Sequence, residues 1–500
     1  MQSAAAREDR PASSAVVLGA LIVLAVILRF YRLGAWGFEG DEIFTLRDSI
    51  RVQLDNPRPL LYLLNHYFVL PLIPLDELGL RLVPAIFGVL AIPGFYGIGR
   101  RLVGSRAALL GSALLTVSAL HVYHSQYARY WSLVFLLSAI YPFALFLGIR
   151  DGHRRMLALG LVTGVLAVLA HPVSVLLFGG LGLWVAVTYL RREHLTQLWR
   201  QRTIRWITLL VVGLAGAILV RYLPILLGWI RMHDTGVVGD HLLHLPGRPG
   251  VKQIAFLMSY AEGLTLPLVL TGLLGICLLW QGRDRSLALL LASVVLVPVT
   301  VMVLLSLRTA VSTTYLFSTT PVCFLAAGVF LDRAAAIDWQ VRPRWLPLAV
   351  LTAIVIIPGM PTLVSQYRDG RRHDFRSTGV WLERHLSPGD LVFSDQSRVL
   401  THYLPDTPVQ PLVADPVELA ATVHRLHQST GTGALWIVAP ASAQGGFRTN
   451  PRIGSLTQWI YDNCQLRNTV GVARLDFRQN QLQIFRCPAA IGLETGVSPE

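Results

Sequence analysis

The sequence predicts an all-α polytopic membrane protein, with about eleven spanning helices in residues 1–365 and a small soluble α/β domain in residues 366–500. Three observations carry this. The 500-residue chain is 53% hydrophobic and only 14% charged, with a mean hydropathy of +0.53. A soluble domain carries roughly 25% charged residues. Apolar runs of bilayer length recur up to about residue 363, and the composition changes near Gln366.

A bilayer core of about 30 Å needs roughly 20 apolar residues of helix. Such runs lie near 15–33, 81–99, 107–121, 131–149, 156–170, 173–190, 206–229, 262–280, 287–307, 313–331 and 345–363. The first follows Arg7 and Arg10, as a signal peptide would. It ends in Arg29-Phe-Tyr-Arg32 rather than a small-x-small cleavage site, so it reads as an uncleaved span. The run at 59–73 is short, holds Pro59, Pro71 and Pro74, and has Asn65-His66 at its centre. It reads as an interfacial or re-entrant helix within a first outer loop at about 34–80.

The net charge is +14, and Lys252 is the only lysine. The arginines are dispersed over short loops and form no single patch, which speaks against nucleic acid as a partner. They instead report topology. With the N-terminus in the cytoplasm, the loops carrying Arg100, Arg101 and Arg106, then Arg150, Arg154 and Arg155, then Arg191 to Arg205, then Arg283 and Arg285, then Arg333, Arg342 and Arg344 all fall inside. The opposite loops are richer in His, Tyr, Asp and Glu. The expected location is a cell membrane, with residues 366–500 outside it. There the short apolar runs Leu391–Ser394, Ala434–Val438 and Leu482–Phe485 read as strands, and Cys464 and Cys487 are placed to form a disulfide if they meet. Cys277 and Cys323 fall in apolar runs and read as packing residues.

Candidate chemistry clusters on the outer side. Gly37-Phe-Glu-Gly-Asp-Glu-Ile-Phe-Thr45 sets Glu39, Asp41 and Glu42 just after the first span, among Trp36, Phe38, Ile43 and Phe44. A carboxylate held in such surroundings gains basicity and suits a general base. Arg58 stands between Pro57 and Pro59, which fix its backbone, and can either grip a lipid phosphate or snorkel to headgroups. The run His121-Val-Tyr-His-Ser-Gln-Tyr-Ala-Arg-Tyr130 is denser in polar groups than an aromatic belt, which would explain its tyrosines, requires; Arg129 is its main candidate, with either histidine, His121 or His124, behind it. His171 before Pro172, and Arg308 with Tyr315 at the start of a late span, share that side. His233, Asp234, Asp240, His241 and His244 have spacings that could hold a metal, though a solvated loop explains them as well.

Taken in order, these residues resemble the GT-C fold membrane glycosyltransferases, in the branch of the protein O-mannosyltransferases and lipid A aminoarabinose transferases. The resemblance rests on Asp41-Glu42, Arg58-Pro-Leu-Leu-Tyr62, Arg81-Leu-Val-Pro-Ala-Ile-Phe-Gly88, Tyr127-Ala-Arg-Tyr130 and Tyr315-Leu-Phe-Ser-Thr-Thr-Pro321. It extends weakly to His373-Asp-Phe-Arg376 and Ser387-Pro-Gly-Asp390. It covers residues 15–150 well and the rest loosely.

The resemblance implies a polyprenyl-phosphate-linked sugar as donor and inverting transfer to an acceptor hydroxyl, the acceptor being a glycan, a lipid or a protein. Asp41 is then the expected base, with Glu42 as orienter or alternative base. Arg58 and Arg129 would stabilise the departing phosphate, with Tyr62 and Tyr315 beside them. Apolar helix faces near 59–73 would hold the lipid chain. His124, Tyr127, His171 and Glu39 complete the candidates, although Glu39 also reads as plainly solvated. A divalent metal stays open as a cofactor: the Tyr123–Tyr130 loop offers no second catalytic carboxylate. The rival reading is a transporter or flippase for a lipid-linked sugar, which would more often bury ionisable groups mid-span. A scaffold presenting its C-terminal domain would need none of the Asp41, Arg58 and Arg129 set.

Overall fold

The structure, a computed structural model, describes residues 11–53, 55–189, 220, 251–282, 284–307, 311–413, 415–430, 433–441, 451–471 and 481–488. The apolar run at 206–229 (all but one residue), Arg308, and the His233–His244 loop lie outside the described residues.

Apolar composition without acidic interruption produces long helices. Among the described residues seven are long and apolar enough to cross a membrane, and up to nine if each of two bent pairs counts as one span. In chain order the helices are α1 (Pro11–Phe30), α2 (Asp41–Ile50), α3 (Pro59–Leu64), α4 (Glu77–Val103), α5 (Ser105–Thr116), α6 (Ala119–Ser125), α7 (Trp131–Ser138), α8 (Tyr141–Arg150), α9 (Arg154–Ala170) and α10 (Val175–Tyr189). There follow α11 (Val251–Leu264), α12 (Leu266–Gln281), α13 (Arg285–Leu305), α14 (Thr320–Ala335), α15 (Leu346–Ile356) and α16 (Met360–Asp369). The run at 156–170 is the 17-residue α9. α3 continues as a single π turn over Asn65–Val69, so the 59–73 run is a short helix between α2 and α4.

Small residues let the spanning helices approach closely. At Gly275 a Cβ would overlap the Ala326 carbonyl of α14, and at Gly111 one would stand 2.7 Å from the Phe324 carbonyl. Two helices break instead of running on: α5 meets α6 at 64°, and the pair α11–α12 bends by 91° at Thr265. The arginine-rich loops meet one another at one end of the bundle, where Arg150 pairs with Asp284 at 3.1 Å and Arg106 with Asp332 at 3.3 Å.

Beyond α16 lie α17 (Phe375–Glu383), α18 (Ser397–Tyr403), α19 (Pro416–Thr430) and α20 (Pro451–Asn463), packed with a five-stranded sheet. Its strands are β1 (Leu391–Ser394), β2 (Val409–Pro411), β3 (Leu435–Pro440), β4 (Gln465–Val470) and β5 (Leu482–Cys487), in the order β2-β1-β3-β5-β4. β1 runs parallel to β2 and β3, while β5 is antiparallel to β3 and β4. β1 is buried on both faces, as expected of a central parallel strand. Cys464 and Cys487 are joined by a disulfide.

The junction at Gly370 joins the two parts. It caps α16 in the left-handed conformation, φ 68°, and a Cβ there would lie 2.5 Å from the Trp36 ring. Only glycine meets both demands. The turn delivers Arg371, Arg372 and His373 to the acidic loop.

Candidate active site

The acidic loop is held from beneath by one arginine. Arg81, in the first turns of α4, is fully buried. It donates to the carbonyls of Leu33, Trp36 and Gly37 at 3.2, 2.7 and 2.8 Å, and to both carboxylate oxygens of Glu42 at 2.9 and 2.7 Å. Glu42 also accepts from the Ala128 N–H at 2.7 Å and the Glu39 N–H at 3.2 Å, and Arg372 lies 3.7 Å away. Burial by itself would raise the Glu42 carboxyl; Arg372, Arg81 and the hydrogen bonds outweigh it and hold it below its ordinary 4.5. Of the two roles the sequence offers Glu42, the geometry fits the orienter: the carboxylate is spent on its neighbours and closed to an acceptor.

Asp41 is placed differently. Gly40 precedes it at φ 45°, ψ −111°, a conformation open to glycine, and starts α2 so that the Asp41 side chain faces outward. That side chain is 57% exposed, and its Oδ2 lies 3.2 Å from Nη2 of the buried Arg129. Arg129 also donates to the Asp41 carbonyl at 3.3 Å and to Thr45 Oγ1 at 3.2 Å.

Arg58 and Arg129 converge on one atom. Both donate to Tyr130 Oη, at 2.6 and 3.3 Å. Arg58 caps α3, its backbone N–H held by Asn56 Oδ1 at 2.9 Å. Tyr62 is buried beside them; burial raises its phenol above the ordinary value although Arg129 and Arg58 pull the other way. His171 packs on Tyr130 and Trp131 with ring centroids at 4.7 and 5.0 Å, and Tyr315 on His171 at 5.8 Å. Nδ1 of His171 accepts from the Val173 N–H at 3.1 Å, which fixes that nitrogen as unprotonated and makes it a turn cap as well as a wall. Arg58, Tyr62, Arg129, His171 and Tyr315 thus form one cluster next to Asp41.

Tyr127 and His124 belong to the flank. Tyr127 stacks on Tyr123 at 5.4 Å under the Arg372 guanidinium. Burial first, then Tyr123 and the Asp41, Glu42 and Glu39 carboxylates, raise its phenol well above the ordinary range. His124 packs on Phe317 at 4.4 Å.

Glu39, which the sequence also allowed to be merely solvated, is not: its side chain is 17% exposed and its Oε1 meets His373 Nδ1 at 2.7 Å. The C-terminal part supplies further groups that sequence reasoning missed. Gln396 Oε1 accepts from the Gly40 N–H at 2.9 Å, and Tyr403 accepts from the Phe38 N–H while donating to Glu77 at 2.7 Å. Tyr130 and Arg81 were missed as site residues too. For Arg81 the signal was available, since an arginine inside an apolar run must find a buried partner. Among the described residues no group of three His, Cys, Asp or Glu gathers as it would around a metal.

Helices of this length and composition make the chain a multi-pass membrane protein, and its architecture is the GT-C fold. ArnT from Cupriavidus metallidurans in the apo state superposes with a TM-score of 0.58 at 15% identity, over 95% of this chain and 98% of that one. ArnT bound to undecaprenyl phosphate gives 0.56 at 14%, over 98% and 100%. The archaeal oligosaccharyltransferase AglB from Archaeoglobus fulgidus, in complex with an inhibitory peptide and a dolichol-phosphate, gives 0.54 at 12%, over 86% and 70%. No family model and no curated protein matches the sequence.

Proposed function

We propose that the chain is an inverting glycosyltransferase that moves a sugar from a polyprenyl phosphate to an acceptor hydroxyl. The observation that carries this is the Asp41 carboxylate lying 3.2 Å from Arg129, which shares Tyr130 Oη with Arg58. A solvent-reachable base therefore adjoins two guanidiniums arranged to receive an anion. In the reaction the acceptor oxygen bonds to the anomeric carbon as its proton passes to Asp41. The anomeric C–O bond to phosphate breaks on the opposite face, and its electron pair leaves with the polyprenyl phosphate. Arg58 and Arg129 stabilise the charge that develops on the departing oxygen, and Glu42 holds the loop that presents Asp41. Transport is the weaker reading, because the exposed carboxylate and the cations share one surface, outside the spans.

Two structural neighbours, ArnT and AglB, hold undecaprenyl phosphate and dolichol-phosphate, which supports a polyprenyl phosphate as the anion. Among the described residues the site lies at the bundle end opposite the Arg100–Arg106 and Arg150–Arg155 loops and Arg285. With the positive-inside rule this favours an extracytoplasmic site in a cell membrane, the N-terminus inside. The Cys464–Cys487 disulfide agrees with that side. The test is Asp41→Asn, purified and supplied with a polyprenyl-phosphate sugar: turnover should fall by about 10²-fold or more while undecaprenyl phosphate still binds. Transfer at the wild-type rate would remove the mechanism.

A further inference from the structure

The turn that leaves α16 holds two left-handed residues in a row, Gly370 at φ 68° and Arg371 at φ 56°. Glycine adopts this region freely; a residue with a Cβ rarely does. The side chain that the turn then delivers to the site is Arg372.

Arg372 bridges two segments of chain. Its Nη2 lies 3.7 Å from Glu42 Oε1 in the acidic loop. The same nitrogen donates to the Gln126 carbonyl at 2.7 Å, and the guanidinium lies over the Tyr127 and Tyr123 rings at 5.2 and 5.9 Å. Gln126 is anchored in its turn: its side chain donates to the Tyr31 carbonyl at 3.0 Å and accepts from Gln366 of α16 at 2.8 Å. The site forms where these two segments meet. Asp41 comes from the first and Arg129 from the second, 3.2 Å apart. A Cβ on Gly40 would stand 4.0 Å from Tyr127 Oη, so that ring also borders the residue before the base.

Packing alone does not call for a guanidinium here. The Arg372 side chain is 1% exposed, and its Nε and Nη1 meet no hydrogen-bond partner among the described residues. Burying donors unpaired is costly, and a methionine of similar reach would avoid that cost. Nor is a second cation required to neutralise Glu42, which already has Arg81 on both oxygens. What only the cation supplies is attraction to a carboxylate in one segment and to two π faces in the other.

We infer that Arg372 is a positioning residue: it fixes the acidic loop against the 126–130 turn and so sets the spacing of Asp41 and Arg129. The inference rests on the transferase reading above. Arg372 acts through Glu42, Gln126 and Tyr127, and the strained junction at Gly370 and Arg371 holds it between them.

The test uses two preparations. The full chain in phosphatidylcholine nanodiscs serves for amide hydrogen exchange read by mass spectrometry. Source cells deleted for the gene and given each variant serve for turnover, read as the envelope sugar that deletion removes. In Arg372→Met the amides of 38–42 and 126–130 should exchange at least tenfold faster. Those of α4 and α13 should keep wild-type rates, which shows the variant to be folded. The envelope sugar should fall at least tenfold at equal membrane levels of the chain, while undecaprenyl phosphate binds within threefold of wild type. Arg372→Lys keeps the charge and a donor for Gln126, and should bring exchange back to within threefold of wild type. Wild-type exchange over both segments in Arg372→Met overturns the inference. So does exchange that rises equally in α4 and α13, which would make Arg372 a general support of the fold. A deletion that removes no envelope sugar strikes the transferase reading instead, and the exchange rates alone then decide on Arg372.

Discussion

Glu42 and Arg81 meet in a bidentate pair of 2.9 and 2.7 Å, both side chains closed to solvent. Arg81 is also the ligand of three loop carbonyls, so the pair fixes the whole turn that precedes Asp41. Removing one partner of a buried pair strands the other charge and costs about 3–5 kcal/mol. Glu42→Gln should therefore destabilise the chain by that amount, read as a lowered unfolding midpoint in detergent. Glu42→Leu combined with Arg81→Met should cost less than the two single changes added together. Additive losses would mean that the pair does not act as a unit.

The same pair sets an acid limit. The folded Glu42 carboxyl binds protons more weakly than in the unfolded chain, because Arg372, Arg81 and the Ala128 N–H outweigh its burial. Its stabilisation is in full above the ordinary value of 4.5 and drains away as the pH falls through the lower folded value. Wild-type stability should lose this contribution only below about 4.5, and Glu42→Gln should lack that component of the acid loss. Thermal unfolding followed from neutral pH to about pH 3 compares the two. Parallel curves would separate Glu42 from the acid response.

Arg58 and Arg129 hold like charges on a single phenol oxygen, an arrangement that an arriving anion relieves. Undecaprenyl phosphate should therefore raise the unfolding midpoint of the wild type, as any ligand of the folded state does. The rise should vanish in Arg58→Ala combined with Arg129→Ala. Arg129→Lys keeps the charge but loses the fork that spans Asp41 and Tyr130, and should cost about 10²-fold in turnover. An undiminished midpoint shift in the double variant would place the phosphate elsewhere.

Much of this was legible from residue order. Hydropathy located the spans, and strand propensity found β1, β3 and β5, which are the buried strands. β2 has three residues, and β4 is exposed from Gln465 through Arg467 and polar along most of its length, so neither gave an apolar run. Asp41, Arg58, Arg129 and Tyr315 were found because each breaks an apolar context near one surface. The resemblance named Asp41 as base but left Glu42 as orienter or alternative base, and residue order alone did not choose between those two roles. Adjacent residues on a helix point about 100° apart, and only the position of Arg81 and Arg372 decides which carboxylate is consumed. Gln396 and Tyr403 were invisible because they reach the loop across more than 350 residues of chain, from an element with no chemical signature of its own.

The C-terminal part therefore has a stake in turnover that can be measured. Gly40 holds φ 45°, ψ −111°, and its N–H is tied to Gln396 Oε1 at 2.9 Å. A Cβ on Gly40 would meet nothing closer than 3.6 Å, so Gly40→Ala adds backbone strain rather than a clash. Strain of about 1–3 kcal/mol at the residue before the base should move Asp41 off line, and misplacement of about 1 Å can cost 10²-fold. Gln396→Ala leaves the glycine free but unties it, and should lower turnover less, by about tenfold. Both changes leave Arg58 and Arg129 untouched, so undecaprenyl phosphate affinity should stay at the wild-type value. A fall in turnover with unchanged donor affinity would make the 396 contact a positioning element for Asp41. Equal loss of both would mean instead that the C-terminal part supports the whole site indiscriminately.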